Sequence, residues 1–279
     1  MKKDFTSLIL ILILVVGLSL LLYPTFSNYW NDLHQTKAIA NYESVVDQMK
    51  KEDFTPILNS ADDYNESLTL RSNPYLLTEI QAGRYEQELN VSGDGIMGYI
   101  EIPCIQVQLP LYHGTSDVVL QVAIGHLDWT SLPVGGASTH CVVSGHRGLP
   151  SARLFTDLDK MAVGDTFLIH VLGEMLTYEV DQIKIVEPHV TEDLLIQEGK
   201  DLVTLVTCTP YGINSHRLLV RGHRVENAEQ SVVVRVTADA IIVDKLLVAP
   251  FLLAPVLLVA LLSLLIPRRK KKGGPNTSV

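Results

Sequence analysis

Cysteine is scarce in this chain: three residues in 279, Cys104, Cys141 and Cys208, each standing alone. That number and scatter exclude a disulfide framework and a C-x-x-C metal site, and they leave one thiol over from any pair. No Gly-rich phosphate loop is present, and no internal repeat or low-complexity tract lies outside two apolar runs. Basic residues are thin where nucleic acid would need them. Of the 22 Lys and Arg, seven sit in the two tails (Lys2, Lys3, Arg268, Arg269, Lys270, Lys271 and Lys272), so the middle of a chain of net charge −9 is markedly acidic. Such a surface lacks the clustered cations that neutralise phosphate, which excludes nucleic acid as a partner.

Apolar sequence is plentiful, at 47% of residues. Much of it is set apart in two runs, Phe5 to Tyr23 after Met1-Lys-Lys-Asp4, and Leu246 to Ile266 just before Arg268-Arg-Lys-Lys-Lys272. At about 1.5 Å per residue, the second run makes a helix of roughly 30 Å, the hydrocarbon thickness of a bilayer. Pro250 and Pro255 would kink this helix without forbidding it. Lys and Arg stay on the cytoplasmic side, so both termini are expected inside and the middle of the chain outside, at the cell membrane. The first run also has the look of a signal peptide. It is longer than the ~7–15 residues of a signal core, and Pro24 to Trp30 holds no clear small-x-small cleavage site.

Between the runs, Ile39, Tyr42, Val45, Val46 and Met49 recur at helical spacing and predict a helix over Trp30 to Lys51. From Asp53 to Glu88 polar and turn-prone residues take over, including Pro56 and Ser72-Asn-Pro74, and irregular backbone is expected. After Gly93-Asp-Gly95 come short β-type runs: Met97 to Ile102, Ile105 to Tyr112, Cys141 to Ser144, Thr166 to Val171, Met175 to Val186, Leu202 to Thr207 and Leu218 to Gly222. These predict a mostly β protein with a closed or nearly closed barrel. Brief helices are expected around Asp117 to Ile124, Leu154 to Met161 and Thr191 to Gln197.

Cys208 follows the apolar run Leu202 to Val206 and precedes Pro210 and Gly212, which puts it at the end of a buried strand. A cysteine there is a small core residue or a nucleophile on a rigid platform. As a nucleophile it needs a base or cation to favour the thiolate, and a donor for the oxyanion formed when it attacks a carbonyl. His146, in Val143-Ser-Gly-His-Arg-Gly148, can project from a turn, whereas His126 and His140 sit in less punctuated contexts and read as structural. Arg217 opens the run Arg217-Leu-Leu-Val220, a strand expected beside that of Cys208. Arg221, Arg224, His216 and His223 read as solvated strand residues.

Thr204-Leu-Val-Thr-Cys208 resembles the TLxTC signature of sortases, transpeptidases that join surface proteins to cell walls or to each other. Leu132-Pro-Val-Gly-Gly136, Thr139-His-Cys-Val-Val-Ser-Gly-His-Arg-Gly-Leu-Pro150, Leu154-Phe-Thr-Asp-Leu-Asp-Lys160 and Thr207 to Arg224 resemble the pilin-polymerising class C subgroup in particular. The resemblance runs from about Gly93 to Val225. It implies a closed sortase-type β-barrel with short helices, an N-terminal helical and lid extension, and two flanking transmembrane helices. It also implies Cys208 as nucleophile, His146 as catalytic histidine and Arg217 as the residue steadying thioacyl substrate and oxyanion, with Thr207 as a possible substrate contact. The implied reaction cleaves an LPxTG-like sorting signal of a pilin subunit and transfers it to a pilin lysine, with no metal or cofactor. Peptidoglycan anchoring, simple cysteine peptidase activity and a non-catalytic barrel module are the alternatives.

The subgroup carries a lid with an Asp-Pro-aromatic motif, matched here by Asn73-Pro74-Tyr75, where an amide replaces the carboxylate that would pair with the catalytic arginine. A neutral amide forfeits the charge-assisted part of such a contact. The expected organisation is a membrane span over 1–24, a helical stalk over 25–58, a lid-bearing segment over 59–90 and a catalytic barrel over 91–230. A linker over 231–245, a second span over 246–267 and a basic cytoplasmic tail over 268–279 complete it.

Overall fold

The computed structural model describes residues 2–227. The expected linker, second span and basic tail lie outside the described residues. The chain divides into one unit that includes the stretch up to Phe26 and a body that begins at Ser27.

Helix α1, Lys2–Gln48, passes through Pro24. An 18-residue window within Ile9–Gln48 has mean hydropathy 2.6 and no buried residue, so this helix is long and apolar enough to cross a membrane, and it is the one such helix among the described residues. Its later turns bury Gln35, Ile39, Tyr42 and Val46. Their 4-3-4 spacing forms one stripe along the helix. Tyr42 locks this stripe to the body: its hydroxyl donates to Met97 O at 3.0 Å and accepts from the Leu172 amide at 2.9 Å.

Irregular backbone was expected from Asp53 onward, but helix α2 spans Lys51–Thr69. The Lys50 amide donates to the Asp53 carboxylate at 3.1 Å, which satisfies an orphan donor at its start. Ala61, Tyr64, Asn65 and Leu68 are buried at i, i+3, i+4 and i+7, and Asn65 is tied to the body at both ends of its amide, to Leu132 O and the Leu132 amide. This tertiary packing outweighs the weak helix propensity of the stretch. Helix α3, Glu79–Tyr85, is opened by a capping box in which Thr78 and Gln81 exchange side-chain contacts.

Eight strands follow: β1 Ile96–Ile102, β2 Val107–His113, β3 Ile124–His126, β4 Thr139–Ser144, β5 Thr166–Val171, β6 Glu174–Val186, β7 Asp201–Thr209 and β8 His216–Val225. They close into a barrel in the order β1-β2-β3-β4-β7-β8-β6-β5, with β2–β3 and β4–β7 parallel and the remaining pairs antiparallel. Strand β3 is three residues long and had no distinct run in the sequence; the helix expected there stops at Leu120. The other two expected helices contract to single 3-10 turns, Leu158–Lys160 and Glu192–Leu194.

Side chains alternate across the barrel wall. On β4, β7 and β8 the inward set is Cys141, Val143, Val203, Leu205, Leu218 and Val220, all in the main core. The opposite set, Val142, Val206 and Leu219, forms a second apolar cluster with Leu194, flanked by Leu127, Trp129 and Val186. This outer cluster is the floor on which the candidate site stands.

Candidate active site

Strands β7 and β8 bring two of the sequence candidates side by side, and the loop after β4 carries the third. Cys208 lies one residue before the end of β7 and is directly opposite Arg217 in the antiparallel register with β8. It shares the face of Val206, two residues earlier, so it points to the outside of the barrel and is half-buried. Arg217 likewise shares the face of Leu219.

Strand β4 runs parallel to β7 with Ser144 opposite Val206. Strand β4 ends there, and His146 comes two residues later in the loop that follows, as Cys208 comes two residues after Val206 on β7. The crossing is tied at Gly145, whose amide donates to Val206 O at 3.0 Å and whose carbonyl accepts from the Thr207 hydroxyl at 2.7 Å. Gly145 also has no room for a side chain: a Cβ there would lie 2.7 Å from the Phe155 ring and 2.9 Å from Ile124. Thr207, expected as a possible substrate contact, is 1% exposed on the inward face, and its hydroxyl is committed to Gly145. It holds the turn that carries His146 against β7.

The guanidinium of Arg217 donates to the carbonyls of Asn214 and His216 at 3.3 and 3.1 Å, and no carboxylate pairs with it among the described residues. Arg221 and Arg224 are otherwise engaged. The first makes a two-pronged contact with Asp181, both distances 2.9 Å, and the second lies 5.8 Å over the Tyr178 ring. Arg217 is thus the guanidinium of β8 left available beside the thiol for an anion.

His126 and His140 are structural. His126 Nε2 donates to Ser131 O at 2.8 Å, and Nδ1 faces the Tyr85 hydroxyl at 3.0 Å. His140 Nδ1 donates to Leu195 O at 2.9 Å, and Nε2 accepts from the Thr204 hydroxyl at 2.8 Å. These partners fix a neutral tautomer for each ring, and burial pulls both down to about 4. Burial pushes the inward-facing Cys141 thiol up, and burial with the nearby Asp165 carboxylate raises that of Cys104. Neither has a partner set like that around Cys208. Among the described residues no group of His, Cys, Asp and Glu is arranged to hold a metal ion.

The segment expected as a lid follows α2. The Asn73 side-chain oxygen accepts from the Tyr75 amide at 3.0 Å, a local turn contact. Tyr75 packs edge-on against Trp129 with ring centroids 5.1 Å apart. Arg71 and Pro74, with Trp129, His140 and Leu194, line a cavity of about 220 Å3 beside the outer cluster. The segment therefore lies against the border of the apolar floor, through an aromatic pair that had no signal in the sequence.

Residues 100–225 match the family model described as Sortase domain. The chain is similar to the crystal structure of sortase C1 from Streptococcus agalactiae, at 52% identity and TM-score 0.67 over 69% of this chain and 100% of that one. Sortase C of Streptococcus pneumoniae is 46% identical at TM-score 0.62, over 68% of this chain and 97% of that one. Sortase D of Bacillus subtilis (strain 168) is 30% identical over 131 residues, a match that takes in 46% of this chain and 63% of that relative. The closed eight-stranded barrel, the strand-end cysteine and these likenesses agree, and the chain belongs to the sortase family of cysteine transpeptidases, within its class C group.

Proposed function

We propose that Cys208, His146 and Arg217 are the catalytic residues, and that the enzyme cleaves an LPxTG-like sorting signal of a pilin subunit and joins it to a pilin lysine. The observation that carries this is the strand pairing: Cys208 lies opposite Arg217, and His146 directly follows Gly145, whose amide and carbonyl are both tied to the strand that carries Cys208. His146 takes the thiol proton, and the sulfur attacks the carbonyl carbon between Thr and Gly of the signal. Arg217 donates to the resulting oxyanion in a partly desolvated setting, where such a donor is worth most. The C–N bond breaks, His146 returns the proton to the leaving amine, and a thioester to Cys208 remains. The lysine amine attacks that thioester, the C–S bond breaks, and an isopeptide bond forms.

The partly buried Leu127, Trp129 and Val186, which pack around the buried outer cluster, offer apolar residues of the signal a surface. The S. pneumoniae sortase C structure bears on pilin substrate specificity, and a lid mutant of the S. agalactiae sortase C1 is among the similar structures. These support pilin as substrate, and Asn73-Pro74-Tyr75 as a lid. The membrane arrangement completes the proposal: spans over 1–24 and 246–267, both termini cytoplasmic, and the barrel outside, facing its substrates as they emerge.

The test uses the full chain in detergent with an LPxTG-like peptide and an amine, read by mass spectrometry. Amide product is expected, and Cys208→Ala or His146→Ala should abolish it. Arg217→Ala should lower the rate by about 10²–10³, the usual loss for one oxyanion donor. Free acid as the main product even with pilin present would overturn transfer in favour of hydrolysis.

A further inference from the structure

We propose that Arg147 is a positioning residue that locks the catalytic histidine and cysteine into one frame; this rests on the assignment of His146 and Cys208 made above. Arg147 directly follows His146, and Thr209 directly follows Cys208. One guanidinium reaches both neighbourhoods. Its Nη1 lies 3.4 Å from the Thr209 hydroxyl, and its Nη2 pairs with the carboxylate of Asp159, the middle residue of the 3-10 turn Leu158–Lys160.

The side chain is 11% exposed, and its Nε is buried without a hydrogen-bond partner. Burying a guanidinium with a donor unsatisfied is a poor way to gain stability, since an apolar side chain of similar volume would serve as well or better. The arrangement makes sense as geometry. Before His146 the chain is held to β7 at Gly145, and after it the Phe155 amide donates to His146 O at 3.1 Å and the Gly148 amide to the Thr156 hydroxyl at 3.1 Å. These bonds fix the loop upon itself and upon the strand ahead of Cys208. Arg147 adds a tie to the residue beyond Cys208, which links the loop to the strand end on the far side of the thiol.

A lysine keeps the charge and can pair with Asp159, but it lacks the rigid fork that spans two partners. Small displacements matter here, because a misplacement on the order of 1 Å can cost about 10²-fold in rate. The test measures kcat and KM for cleavage of an LPxTG-like peptide by the full chain in detergent. It also follows the pH profile of Cys208 alkylation, read from the mass of the Cys208 peptide. Arg147→Ala is expected to lower kcat by about 10–100-fold with KM within about three-fold, the pattern of a lost transition-state alignment. Its alkylation profile should move to higher pH, and Arg147→Lys and Asp159→Asn should fall between it and the parent in both readouts.

A kcat within two-fold of the parent in folded Arg147→Ala would overturn the inference. Should that variant not fold, an unchanged kcat and alkylation profile in Arg147→Lys and Asp159→Asn would overturn it equally. So would losses that follow only the folded fraction, with the alkylation profile unmoved. Cys208→Ala is run in parallel: activity in that variant would sink the site assignment itself, whereas a dead Cys208→Ala beside normal Arg147 variants would sink only the positioning role.

Discussion

Two buried histidines carry the clearest residue-level consequence. His126 and His140 are both held neutral with values near 4, against about 6.5 in an unfolded chain. Between those two values the unfolded chain binds protons that the folded one does not, so stability falls as pH is lowered through the window from about 6.5 to 4. The loss is of order 3 kcal/mol for each ring at the acid end. Urea midpoints at pH 7.5 and 4.5 should reveal it, and His140→Gln should shed part of the slope; a midpoint unchanged between the two pH values would contradict this account. The sequence marked His146 by its flanking glycines and left His126 and His140 as structural. It could not have placed Thr207, because face on a strand with polar residues at alternate positions depends on which neighbour covers it. Only the register with β4 turned Thr207 inward to Gly145.

At the scale of elements, the segment from α2 to Tyr75 is where sequence and structure diverge most. The positions buried on α2 are Ala61, Tyr64, Asn65 and Leu68, at helical spacing but with one small, one polar and one amphipathic side chain, so hydropathy alone does not reveal the stripe. The contacts that select it are with residues more than 60 positions away, such as Leu132. The segment proposed as a lid holds Asn73 in a local turn, and among the described residues Arg217 has no carboxylate partner. Asn73→Asp offers that guanidinium a charged partner and should slow alkylation of Cys208 several-fold. Equal labelling of the two forms would remove the idea that the amide makes this lid open more readily.

For the whole molecule, the question is how a barrel is held at a membrane. Helix α1 has the length and composition of a span, and the charge pattern Lys2, Lys3 and Arg268 to Lys272 is the ground for the two spans and inside termini proposed above. The chain should resist alkaline carbonate extraction, and a version lacking residues 1–26 should remain membrane-bound through the run Leu246 to Ile266. A tag placed after Val279 should be protected from external protease in intact protoplasts while the barrel is digested. A tag cleaved from outside would reverse the proposed topology.

Strand positions, the strand-end cysteine and its candidate partners were legible in the chain itself, because alternation, apolar runs and Gly or Pro punctuation are local signals. The three-residue β3, the inward turn of Thr207, the meeting of Tyr75 with Trp129 and the bridge from Arg147 to Thr209 and Asp159 were not. Each depends on which strands lie side by side when the barrel closes, and above all on the parallel pairing of β4 with β7, whose partners are about 60 residues apart. Such pairing is set by burial of the whole barrel wall, which no short window of sequence contains.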